Sequence, residues 1–286
     1  MRKTLLAAAV AGAFSLPVAA IAADAAPASP HTFTANVGVV SDYLFRGVSQ
    51  THGAAALQGG VDYAHASGLY AGIWGSTITW VKDAYGKGST EVDLYGGYKN
   101  TFAGGDWNYD IGLIAYNYPG KGAAITGVNF NPNTSEVYGA IGYKWLTAKY
   151  SHVISKDFIG WAGGPAFDQH TRGSNYLELN AAYDMGDGWG LVGHYGHQKV
   201  KNYGNAVYAS ADYNDWKIGV TKDLGFGVVG LAYSDTDAAG GCGNPPPVPG
   251  SAYCWGNGNF VSGVGSTSGF KDVAKGQVVL TFNKTF

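Results

Sequence analysis

A set of charged side chains recurs along this chain on the polar side of alternating segments: Asp42, Arg46, Asp62, Glu91, Asp93, Lys99, Asp110, Glu136, Lys144, Lys149 and Glu178. Tyr70, Tyr95, Tyr138 and His194 fall on the same side. Charges of both signs gathered on one surface can line a water-filled passage or close it as a salt-bridged plug. The acids outnumber the bases in this set, which favours cations slightly. Arg46, Lys99, Lys144 and Lys149 cancel part of that field.

Hydrolytic chemistry is the alternative use of such residues. His194 with Ser151 or Glu178 would supply a base and a nucleophile, but no Gly-x-Ser-x-Gly and no His-Glu-x-x-His is present. An inward histidine without such a signature reads as hydrogen-bonded structure. Arg46, in Leu44-Phe-Arg-Gly-Val-Ser-Gln50, could hold an anionic solute or a lipopolysaccharide phosphate. The plainer expectation pairs it with Asp42 or a neighbouring acid to brace the wall. Cys242 and Cys254 are the chain's two cysteines, and in an exported protein they read as a disulfide across a Gly/Pro-rich loop. Two thiols without nearby His or further Cys do not complete a metal site, and no cofactor is implied. No basic stripe suited to nucleic acid is present.

The elements that must position these groups follow from period two. From Phe33 onward the chain is a succession of segments with apolar and polar residues alternating, a strand pattern rather than a helical one. The expected strands are 33–43, 57–65, 69–79, 91–99, 107–116, 136–145, 148–155, 175–184, 189–199, 212–222, 226–235 and 275–286. Short turns at 66–68, 101–106, 145–147, 185–188 and 223–225 alternate with long connections at 46–55, 80–89, 117–134, 156–174, 200–211 and 236–274. Strict alternation of short and long connections is the signature of an up-and-down meander through a membrane, and a Greek-key sandwich would scatter them. Aromatic residues near segment ends (Tyr43, Phe45, Trp80, Trp107, Tyr109, Tyr143, Trp145, Trp189, Trp216, Phe226 and Phe286) suit girdles at the two interfaces.

Composition agrees. Only 13% of residues are charged, 14% are aromatic and Gly numbers 45, which disfavours a helical protein. Mean hydropathy near zero is what apolar-out, polar-in strands average to. Arg2 and Lys3, the apolar run to Ala22 and Ala20-Ile21-Ala22 read as a signal peptide over residues 1–22, cleaved before Ala23. Without Arg2 and Lys3 the 18 basic residues fall to 16 against 20 acidic, a mildly acidic mature chain. Residues 23–31 form a flexible lead, and 32–286 a single domain. In the last segment Val278, Leu280, Phe282 and Phe286 share one face, and Gln277, Thr281, Asn283 and Thr285 the other with Val279. This looks like the carboxy-terminal signal that barrel proteins present to their assembly machinery, with Phe286 as its end and Lys284 as a departure from it.

Several stretches resemble a proteobacterial family, the TorF-type porins long labelled conserved hypothetical proteins. They are Ser41-Asp-Tyr-Leu-Phe-Arg-Gly-Val-Ser-Gln50, Glu91-Val-Asp-Leu-Tyr-Gly-Gly-Tyr98, Tyr143-Lys-Trp-Leu-Thr-Ala-Lys-Tyr150, Tyr176-Leu-Glu-Leu-Asn180, Gly188-Trp-Gly-Leu-Val-Gly-His194, Gly219-Val-Thr-Lys-Asp-Leu224 and Gly230-Leu-Ala-Tyr-Ser-Asp235. The resemblance implies an outer-membrane barrel with a pore-like role and no defined substrate, with the Cys242–Cys254 element a local addition. The expectation is therefore an all-β protein: a transmembrane antiparallel up-and-down barrel of about twelve strands, preceded by a cleaved signal peptide, in the bacterial outer membrane. It would act as a porin-like channel for passive diffusion of small polar solutes or ions, with slight cation preference, and not as an enzyme. Its partners would be outer-membrane lipid and lipopolysaccharide, the barrel assembly machinery and the solutes. A closed barrel with a structural or lipid-interacting role is the alternative, ahead of a lumenal hydrolase and a soluble periplasmic β-domain.

Overall fold

A computed structural model describes residues 29–85, 88–120, 131–160, 170–203, 210–238, 240, 242, 252–255 and 270–286. The expected signal peptide, 1–22, lies outside these residues, as do residues 23–28 of the lead. Twelve strands close into one barrel. In chain order they are β1 (His31–Val40), β2 (Ala56–His65), β3 (Leu69–Thr77), β4 (Thr90–Phe102), β5 (Trp107–Asn117) and β6 (Thr134–Tyr143). The circuit continues with β7 (Leu146–Val153), β8 (Asn175–Gly186), β9 (Trp189–Lys199), β10 (Tyr213–Asp223), β11 (Val228–Thr236) and β12 (Gln277–Thr285). A short helix, α1 (Trp80–Tyr85), lies between β3 and β4. His31, expected in the lead, is already a strand residue opposite His65.

Every strand pairs antiparallel with its neighbours in sequence, and β1 closes the barrel on β12 with Asn36 opposite Thr285 and Val40 opposite Thr281. Phe286 extends that seam: its amide donates to the Ala35 carbonyl at 2.8 Å, and the Ala35 amide returns the bond at 3.2 Å. Closure pairs each strand with both neighbours around the wall, so the backbone polar groups of the paired residues are satisfied within it.

The two rims differ as the connection lengths require. At one rim the strands turn tightly, as at Asp187–Gly188, where φ values of 51° and 77° give the twisted hairpin turn that matches strand twist. At the other rim the long connections gather. The outer wall is apolar: Val37, Leu57, Ile73, Leu94, Ile111, Leu113, Ile141, Leu177, Leu179, Ile218, Leu231 and Leu280 are all exposed, Ile111 at 61%. In a water-soluble protein so continuous a belt would be unsustainable, and on a closed barrel it is the surface that faces lipid. Trp107, Tyr143, Trp145, Trp189, Trp216, Phe226 and Phe286 add exposed rings toward strand ends. This is a transmembrane β-barrel, the architecture of the bacterial outer membrane.

The buried apolar core lies inside the barrel at the long-loop rim. It includes Val40, Tyr43, Val48, Ile78, Trp80, Val81, Tyr116, Tyr118, Phe158, Tyr213, Tyr253, Trp255 and Val273. Three rings expected in the girdles are therefore inside: Tyr43 and Trp80 are buried and Phe45 packs against them. Period two placed Tyr43 and Phe45 on the outer face, but it holds only while the strand lasts. The chain leaves β1 at Val40 and bends at Ser41–Asp42 before the next ladder, so the parity is reset.

Candidate functional site

The site is built by the connection between β1 and β2. Leu44–Phe45 pairs with Val48–Ser49 in a two-residue hairpin whose turn is Arg46-Gly47. Both turn residues have positive φ, 50° and 79°. Glycine accepts that conformation freely, whereas an arginine there is held by its surroundings. A Cβ on Gly47 would meet Thr236 Cγ2 at 2.6 Å and Asp215 Cβ at 2.8 Å, so only glycine lets the turn come this close to β10 and β11.

The hairpin crosses the lumen and touches the wall on several sides. Tyr43 donates its hydroxyl to Glu91 of β4 at 3.0 Å. Phe45 packs edge-on against Tyr116 of β5, ring centroids 5.5 Å apart. The Arg46 guanidinium donates to Glu136 of β6 and to Gln198 of β9, each at 2.7 Å. It also lies over the rings of Tyr176 (4.4 Å) on β8, Phe45 (4.7 Å) and Phe158 (5.6 Å). Tyr213 of β10 donates to the Arg46 carbonyl at 2.9 Å, and the Ser49 amide donates to Val273 O of the last loop at 2.8 Å. That loop covers the hairpin through Tyr253, whose hydroxyl donates to Ala211 O at 2.6 Å, and through Trp255 against Trp80. The Cys242–Cys254 disulfide, Cα atoms 5.3 Å apart, ties this cover.

Of the residues expected to line the lumen, the structure brings Arg46, Glu91, Asp93 and Glu136 together under the hairpin, all deeply buried. Arg46 does not brace the wall through Asp42. Asp42 is taken by the hydroxyls of Ser49 (2.7 Å) and Thr51 (2.6 Å), and the partner of Arg46 is Glu136 across the lumen. Burial also removes Arg46 from any lipopolysaccharide phosphate.

A second group lies nearer the short-turn rim, with Asp62, Tyr70, Tyr95, Lys99 and Asp110 partly open to solvent and Tyr138 and Lys149 buried. Asp62 accepts from Tyr95, and Asp110 accepts from Tyr70 at 2.6 Å, with Tyr70 also bonded to Tyr138. Lys99 stands 5.0 Å over the Tyr70 ring, and Lys149, opposite Glu178 on the next strand, 4.3 Å over that of Tyr138. Lys144 does not belong to either group. It occupies the β6–β7 turn at φ 53°, half exposed and 3.8 Å from Asp106, because the strand ends at Tyr143. Alternation beyond that point has no meaning.

Sequence reasoning missed Asp215, Lys217, Tyr176 and Gln198. Period two on β10 would have found the first two, since Trp216, Ile218 and Val220 are the exposed residues of that strand. His194 bridges these elements. Its Nδ1 is 2.7 Å from Asn180 Oδ1, and its Nε2 is 2.9 Å from Asp215 and 2.8 Å from the Tyr176 hydroxyl. Both ring nitrogens are thus engaged, among the described residues, by groups other than Ser151, while Glu178, the other expected partner, has Oε2 3.7 Å from Nδ1. Among the described residues no cluster of His, Cys, Asp or Glu is arranged to hold a metal ion.

A family model described as "Bacterial protein of unknown function (Gcw_chp)" matches residues 24–243, which confirms neither a function nor the TorF-type resemblance. No curated protein matches the chain. Among solved structures, the KdgM porin is similar at 6% identity and a TM-score of 0.47, over 88% of this chain and 99% of that one. The NanC porin is similar at 9% identity and a TM-score of 0.46, over 89% and 99%. OprD of Pseudomonas aeruginosa is similar at 12% identity and a TM-score of 0.40, over 82% of this chain, which spans 61% of OprD. Likeness at this level carries no argument about function.

Proposed function

We propose that this chain, which belongs to the Gcw_chp family of bacterial proteins of unknown function, is an outer-membrane channel for small polar solutes whose aperture is set by the Arg46-Gly47 hairpin. One observation carries the reading. The interior changes character along the barrel axis, from a packed aromatic plug at the long-loop rim to charged groups partly open to solvent toward the other rim. A barrel serving only as a membrane anchor has no need of Asp62, Lys99 and Asp110 partly open to solvent in its interior, where charges are costly unless hydrated or paired. Short turns face the periplasm in such barrels, so the wet vestibule opens inward and the hairpin closes the outer mouth.

Passage is passive: solutes diffuse through fixed charges once the hairpin yields. The inward acids Asp62, Glu91, Asp93, Asp110, Glu136, Glu178 and Asp215 face Arg46, Lys99, Lys149 and Lys217, and this excess of negative charge supports a preference for cations. A closed resting state is the second reading, favoured by the burial of the hairpin. Single-channel recording of the purified protein in a planar bilayer under a KCl gradient tests both. Discrete current steps with a reversal potential of cation-selective sign are expected. A silent bilayer with folded, heat-modifiable protein would refute the channel and leave a permanently plugged barrel.

A further inference from the structure

Among the described residues, Asp93 is a buried carboxylate, 1% exposed, with both oxygens unsatisfied. Its neighbours across both flanking strands are aromatic, Trp74 on β3 and Tyr116 on β5. Glu91, two residues back on the same face, and Glu136 on β6 are close enough to act on it electrostatically. One oxygen of each is engaged, Glu91 Oε1 by Tyr43 and Glu136 Oε2 by Arg46, while Glu136 Oε1 is also buried without a partner. Among the described residues Arg46 is the cation hydrogen-bonded to these acids, and Lys149, over Tyr138, also acts electrostatically on Glu136.

A buried carboxylate with no donor is costly, so it either holds its proton or takes a counter-charge from outside the chain. The lining says what kind. No three ligands among the described residues are arranged for a chelated metal. Carboxylate oxygens flanked by aromatic residues on both neighbouring strands suit a cation that both donates N–H bonds and lies against aromatic surface. The chain displays that recognition with its own side chain, since Arg46 sits on Glu136 against Tyr176 and Phe45.

We infer that Asp93, with Glu91 and Glu136 and the rings of Trp74 and Tyr116, forms a binding site for a singly charged N–H-donating cation, a primary ammonium or a guanidinium group. The inference rests on the channel reading and names the class of solute that the channel selects at its constriction. Arg46 is then a resident competitor for the Glu136 half of the site.

Isothermal titration of the folded protein in neutral detergent, with methylguanidinium or methylammonium chloride as titrant and urea as the neutral match to guanidinium, tests it without requiring conduction. Saturable binding of both cations and none of urea is expected. Asp93→Asn and Glu91→Gln should each weaken binding tenfold or more, Arg46→Met should tighten it, and Asp106→Asn in the exposed turn should leave it unchanged. Heat-modifiable gel mobility identifies the folded variants, and two acid positions keep the test open if one fails to fold. No saturable binding by the parent protein, wild-type binding by Asp93→Asn, or equal displacement by KCl would overturn the site. Conduction without binding removes this site and leaves the channel. Binding without conduction removes the channel, and with it the solute role assigned here.

Discussion

Replacing Arg46 by Met keeps an unbranched apolar stem and removes the guanidinium with its charge. The Arg46–Glu136 contact is 2.7 Å with the two side chains 7% and 1% exposed, so water screens it little. Breaking a buried pair by deleting one partner costs about 3–5 kcal/mol, because the remaining charge stays buried and uncompensated. Each lost cation–π contact, to Tyr176 at 4.4 Å and Phe45 at 4.7 Å, adds roughly 0.5–2 kcal/mol. These losses fall on the closed state alone: with the hairpin displaced, Glu136 is hydrated in either variant. The Tyr43–Glu91, Tyr213–Arg46 carbonyl and Ser49–Val273 bonds survive the substitution and hold the hairpin against complete release. Taking the lower bound of about 3 kcal/mol, at ~1.4 kcal/mol per tenfold, the open fraction rises by about a hundredfold. Open probability in planar bilayers reads this directly. A cycle with Glu136→Gln separates the pair from the fold: the double variant should open little more than either single one. A folded Arg46→Met barrel whose open probability stays within twofold of the parent would refute the hairpin as the gate.

Gly47→Ala forces a left-handed residue and a Cβ against Thr236 and Asp215, costing at least about 1–2 kcal/mol. Hydrogen exchange of the Leu44–Ser49 amides should quicken roughly tenfold while that of the wall is unchanged. Ile111→Arg, on the lipid face of β5, should lower the unfolding free energy in lipid vesicles by about 2–4 kcal/mol, measured in urea. Asp110→Asn, one residue away and inward, should leave that free energy nearly unchanged and move the reversal potential toward zero. Cys254→Ser opens a loop of sequence separation 12 and removes about 3 kcal/mol of restraint, so exchange at Tyr253 and Trp255 should rise while the barrel keeps its heat-modifiable mobility.

Alternation is a property of adjacent residues, and everything that depends on it alone was legible in the amino-acid order. Leu94, Ile111 and Val278 face out and Asp93, Asp110 and Glu136 face in because successive side chains of a strand must point to opposite sides. The alternation of short turns with long loops likewise dictated the meander, and twelve strands follow from counting segments. The reading failed where strands stop. Period two puts Tyr43 and Phe45 outward and Lys144 in the lumen only by running past Val40 and Tyr143, where no ladder enforces it, and Trp80 at a segment end turns into the core instead of the girdle.

What only the tertiary structure decided is the fate of the loops. Nothing local distinguishes a Phe45-Arg46-Gly47 turn lying on the surface from one folded across the lumen. The choice rests on contacts separated by 90 residues to Glu136, 152 to Gln198 and 167 to Tyr213. Those residues converge because the sheet closes on itself and brings every strand's inward face to one axis. Sequence order carries the wall, whose interactions are between neighbours. The site belongs to closure, which makes neighbours of residues that the chain keeps far apart.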